Sequence, residues 1–81
     1  MKEAAFVATT DLEIGDRVKV RLLHSHTFEI HDIRTVHYFR DMRVEFEFQL
    51  KTTNDSEIIK GWFPREEIIY PVKEDHAIGT K

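Results

Sequence analysis

His24 and His26 flank a serine in "HSH", and His31 and His37 follow in the same part of the chain. Two imidazoles two residues apart on an extended segment can reach one zinc ion. Against this, the chain has no cysteine, and no carboxylate stands at clear ligand spacing. A polar loop is the simpler reading, and no metal ligand is assigned. Glu45/Glu47 and Glu66/Glu67 are carboxylate pairs, but the first lies on an outward strand face and the second in a turn. Both read as solvated surface. Ser25 and Ser56 sit in polar, loop-like stretches, and Gly15, Gly61 and Gly79 are too scattered to cradle a phosphate. The residue types therefore imply no catalytic group, no cofactor and no enzyme activity.

The elements that position these residues are strands. "RVKVRLL" (17–23) alternates, with Val18, Val20 and Leu22 on one face and Arg17, Lys19 and Arg21 on the other. Gly15-Asp16 signals a turn before it. "FEIHDIRTVHYF" is rich in β-branched and aromatic residues but changes phase between Ile30 and Ile33. That predicts a β-bulge or sharp bend near His31-Asp32. "RDMR" reads as a tight turn. "VEFEFQL" (44–50) is the clearest strand, with Val44, Phe46, Phe48 and Leu50 inward and Glu45, Glu47 and Gln49 outward. "TTNDSE" is a turn cluster, "IIKGWF" a fourth strand, "REE" one 3-10 turn after Pro64, and "IIYPV" a fifth short strand. Residues 1–10 form a loose lead-in, 11–72 a single domain, and 73–81 a polar tail expected to fray.

Two stretches carry a family likeness. "DLEIGDRVKV" (11–20) resembles the opening of Src-homology-3-like barrels: an acidic residue, Leu, an apolar residue, Gly-Asp, then an alternating strand. "GWFP" followed by "REEI" (61–68) is similar to their Gly-x-Phe-Pro strand end, 3-10 turn and buried final-strand aliphatic. The resemblance spans roughly residues 11–72. It implies an all-β, five-stranded barrel with a short 3-10 turn before the last strand. Pro64 matches the proline of that family's peptide groove, while Glu67 stands where its tyrosine does and the tandem tryptophans have no counterpart.

In that pattern Phe63 is core, so Ile58, Lys60 and Trp62 point outward. A tryptophan on an outer face needs a cover or a partner. The cover would be the N-terminal segment, with Phe6 folded over Trp62. The partner reading makes Trp62, Pro64, Ile58 and Lys60 a protein-binding surface, since Trp is favoured at interface centres. An alternative is nucleic-acid binding through the basic strand Arg17, Lys19 and Arg21, extended by Arg34 and Tyr38, with Arg40 or Arg43 nearby. Those cations could instead pair across strands with Glu45 and Glu47. A third possibility is self-association through an open strand edge.

Bulk properties set the frame. At 81 residues the chain is one small domain, and such a chain buries only about 60% of its unfolded surface. Net charge is −3, which argues against a general nucleic-acid coat, yet residues 17–43 hold six Lys/Arg against three Asp/Glu. With no cysteine, disulfides are excluded. The start "MKEAAFVATT" has no apolar signal core, and no stretch is apolar enough to span a bilayer. A cytoplasmic module, monomeric or weakly dimeric and away from membranes, is the expectation. Micromolar zinc should leave the melting temperature unchanged. A rise of several degrees that vanishes when His24 and His26 are replaced together would contradict this.

Overall fold

The computed structural model describes residues 4–23 and 25–72, so His24 and the 73–81 tail lie outside the described residues. The fold is all-β. Its strands are β1 (Arg17–Val20), β2 (Phe28–Tyr38), β3 (Arg43–Thr52), β4 (Phe63–Pro64) and β5 (Ile68–Ile69). They form one antiparallel sheet in the order β4-β3-β2-β1-β5. The sheet is open, because the strands at its two ends do not pair with each other. A 3-10 turn over Arg65–Glu67 joins β4 to β5, as the "REE" stretch predicts.

The core comprises Leu12, Val18, Val20, Phe28, Ile30, Phe48, Leu50 and Ile68, with Ile33, Phe46, Ile59, Phe63 and Tyr70 packed against it. Each fully buried aliphatic or aromatic of this kind contributes roughly 1.5–3 kcal/mol. Leu12 enters from outside the strands. Its N–H bonds Thr10 Oγ1, and the chain then turns at Gly15, whose φ of +99° lies in the left-handed region that favours glycine. Gly15 N–H bonds Ile30 O at 2.9 Å, and Ile30 N–H bonds Asp16 O, which ties this turn to β2.

The predicted irregularity in β2 is a one-residue bulge. Ile30 pairs with Leu50 and Asp32 with Gln49, leaving His31 as the extra residue. The bulge brings Ile33 onto the core side, opposite Phe48. Beyond Arg34, which lies opposite the last β4-paired residue Glu47, β2 and β3 continue as a two-stranded ribbon to a four-residue turn at 39–42. β4 touches β3 only at Glu47 and Phe48, and β1 touches β2 only at Phe28 and Glu29.

Three sequence expectations are corrected. β1 ends at Val20, and a 3-10 turn over Arg21–Leu23 follows, so Leu22 is 86% exposed instead of facing the core. Arg21 consequently leaves the stripe of Arg17 and Lys19. "IIKGWF" is not one strand: Ile58 makes an isolated bridge to Lys51, and regular pairing resumes only at Phe63. The cause is Gly61, whose φ of +99° breaks the extended run. Phe46 is half-buried, because β3 has by then run past the body of the sheet; Phe48 carries the full burial.

Phe48→Ala should therefore cost about 3–5 kcal/mol, and Phe46→Ala distinctly less. Leu22→Ala should change stability by less than about 0.5 kcal/mol. Urea melts of the three variants check this ranking, and a Leu22 effect equal to that of Phe48 would return residues 21–23 to the strand.

Candidate partner-binding cleft

Strand β3 alternates its backbone groups as well as its side chains. Leu50 O accepts from Ile59 N–H, and Thr52 N–H donates to Glu57 O, so even-numbered residues of β3 turn their N–H and C=O away from β2. By the same alternation Val44 and Phe46 turn theirs to this side. β4 has ended there, at Pro64. A length of strand edge is left with no strand beside it.

Across that edge lies the segment leading into Leu12. Residues 4–10 have no regular secondary structure and are held by side chains. Phe6 stacks on His37 with ring centroids 4.5 Å apart and meets Phe39 edge-on at 5.0 Å. Asp11 then accepts two hydrogen bonds from Arg65, from Nε at 2.9 Å and Nη2 at 2.8 Å, while Arg65 Nη1 donates to Ile68 O. This two-pronged carboxylate–guanidinium contact clamps the N-terminal segment to the 3-10 turn. Together the segment, the strand edge and the turn enclose a cleft of about 330 Å³, lined by Thr9, Thr10, Asp11, residues 44–47, Pro64, Arg65 and Glu66. That is the lower end of the range for ligand pockets.

The outer face of the ribbon is a ladder of charges and rings. Arg34 places its Nε and Nη2 each 2.7 Å from the same oxygen of Glu47, its cross-strand partner, and its guanidinium lies 4.3 Å from the Trp62 ring centre. Arg43 pairs with Glu45 and, at 3.5 Å, with Asp41; it also lies 4.1 Å from the Tyr38 ring centre. The Tyr38 hydroxyl donates to Glu45 Oε1 at 3.3 Å. Arginine over an aromatic face is favourable by about 0.5–1 kcal/mol at exposed sites.

The sequence-predicted residues are thus dispersed. Pro64 lines the cleft. Trp62 is half-buried beneath Arg34, which corrects the expectation that Phe6 covers it; Phe6 lies at the other end of the ribbon. Ile58 and Lys60 are exposed, and Ile58 bridges Lys51, well along β3 from the cleft. Arg34 and Tyr38 are engaged in the ladder. Arg21 donates from Nε to Glu66 O at 2.6 Å. Arg17 is exposed and Lys19 half-buried, and neither forms an ion pair among the described residues. Cross-strand pairing thus holds for Arg34 with Glu47, while Arg43 meets Glu45 along its own strand and the cations of β1 meet neither.

His26 contacts Ser25 Oγ at 3.1 Å beside a second, polar hollow of about 410 Å³ near Thr52 and Asp55. No group of three or more His, Cys, Asp or Glu among the described residues could hold a metal ion. Among those residues, too, no helix is long and apolar enough to cross a membrane. The Asp11–Arg65 clamp escaped sequence reasoning because its partners are 54 positions apart, and no local period links them. No protein-family model, curated protein or solved structure matches this chain.

Arg65's hydrogen bonds hold the Asp11 carboxyl below its ordinary value of 3.8. A carboxylate with a lowered folded pKa stabilises fully above its unfolded value, and that contribution is lost as pH falls through the folded value. Wild type should therefore exceed Asp11→Asn in stability near neutrality, with the gap closing in acid below about pH 3.8. Parallel urea melts from pH 7 downward test this, and a gap that widens in acid would remove the clamp.

Proposed function

We propose that this chain is a non-enzymatic, cytoplasmic protein-binding module with a Src-homology-3-like barrel arrangement. Its partner chain occupies the cleft at Pro64 and extends toward Trp62. The architecture is supported by five antiparallel strands, the "GWFP" strand end and the 3-10 turn directly before β5. One observation carries the binding reading: an open cleft of about 330 Å³ where an unpaired strand edge, Pro64 and the N-terminal segment meet. It coincides with the one groove residue that the resemblance implies. Nucleic-acid binding has less support, because Arg34, Arg43 and Arg21 are already engaged with Glu47, Glu45 and Glu66 O, leaving Arg17 and Lys19 as the core of that surface.

A photo-cross-linking residue at position 66, with one at position 54 as control, tests the reading in native cell extract treated with nuclease. The expected result is a captured polypeptide from 66 and not from 54. Trp62→Ala should cost about 2 kcal/mol or more of the affinity for that polypeptide, the size of an interface anchor. Capture of nucleic acid from a cross-linker at position 17, with no polypeptide from 66, would overturn the reading.

A further inference from the structure

We propose that the cleft takes an extended, cationic polypeptide segment that adds as a strand to the free edge of β3 from the Phe46 N–H to Val44, beyond the Glu47–Pro64 pair. This rests on the cleft reading above and names the chemistry and binding mode of the occupant.

Strand addition follows from what the edge lacks. Val44 turns its backbone N–H and C=O into the cleft, β4 stops at Pro64, and residues 4–11 make no backbone hydrogen bond to this edge among the described residues. An unpaired edge is a template for another strand, with backbone bonds supplying affinity and alternate side chains supplying selectivity. The four edge residues 43–46 span about 13 Å, enough for a short paired segment.

The two faces of the edge differ in chemistry, so the occupant must alternate. Inward stand Val44 and Phe46 beside Thr9 and Thr10. Outward stand Glu45 and Glu47, with Glu66 at the end of the cleft. Both bonds from Arg34 fall on Glu47 Oε1, so Oε2 keeps its accepting capacity, and the Glu66 carboxylate has no partner among the described residues. The only cation lining the cleft, Arg65, is committed to Asp11 and Ile68 O. Acceptors without matching donors on one face, and apolar surface on the other, select a segment alternating Lys or Arg with apolar residues.

Three capped hexapeptides test this by titration into the isotope-labelled full chain: Lys-Val repeated three times, its Glu-Val counterpart, and the Lys-Val peptide N-methylated at alternate residues. The Lys-Val peptide should shift the amide resonances of Val44, Phe46 and residues 9–11. It should bind at least about tenfold tighter than either control, and Glu66→Gln should weaken it several-fold without altering the melting temperature. Equal binding of the Glu-Val peptide overturns the cationic occupant, and equal binding of the N-methylated peptide overturns strand addition. No shift in the cleft up to about 1 mM peptide overturns both. Polypeptide capture from position 66 then decides whether the broader reading falls with them.

Discussion

The extra residue at His31 is the constraint on which the rest of the structure depends. Strand side chains repeat with a period of two, so a regular β2 would bury Phe28 and Ile30 and send Ile33 to solvent. With one residue unpaired, Ile30 and Ile33 both face inward although three positions apart, opposite Leu50 and Phe48. The same bulge changes what β2 is used for. Before it, the strand lies between β1 and β3 in the body of the sheet. After it, β2 is one leg of a ribbon that runs past both β1 and β4. A lone two-stranded ribbon is marginal in water, so everything beyond Glu47 toward the turn needs outside help.

That help comes from side chains on both faces. Outward, Arg34 with Glu47 and Tyr38 with Glu45 tie the two legs together, and the rings of Trp62 and Tyr38 lie beneath the guanidinium groups of Arg34 and Arg43. Inward, Phe6 stacks on His37 and keeps the N-terminal segment against the ribbon. Exposed ion pairs are individually weak; repeated along one face with aromatic contacts, they set the ribbon's position more than its stability. The cleft is what remains between a segment fixed at Phe6 and Asp11 and an edge that β4 does not reach.

Legibility in the sequence followed the range of the interaction responsible. Alternation in β3 was plain because each inward residue answers to the same sheet face, and the bulge was visible as a change of phase between Ile30 and Ile33. The 3-10 turn after Pro64 was legible for a local reason as well. By contrast, the end of β1 at Val20 is set by its pairing of Val20 with Ile68 and Lys19 with Ile69, in a strand of only two residues. Leu22 continued the pattern but had no neighbour left to pack on. The break at Gly61 left a trace in the residue itself, but alternation alone read through it. The cover on Trp62 and the clamp on Asp11 join residues 28 and 54 positions apart, and nothing local in the sequence points from one partner to the other.

Placement of the arginines also explains why a basic middle segment does not make a basic surface. Residues 17–43 hold twice as many cations as anions, yet β2 and β3 set Arg34 directly opposite Glu47. One carboxylate of the stretch that follows is thus set against one cation of the basic segment, and Arg43 meets Glu45 beside it on β3. Two cations of that block are matched on the outer face of the ribbon, and unmatched acceptors gather at the cleft, on Glu47 and Glu66. Charges matched along a long hairpin are hidden from solvent except where one leg outruns its neighbours. In this chain that place is the β3 edge beside Pro64, so the exposed backbone and the unpaired carboxylates occur together for one geometric reason.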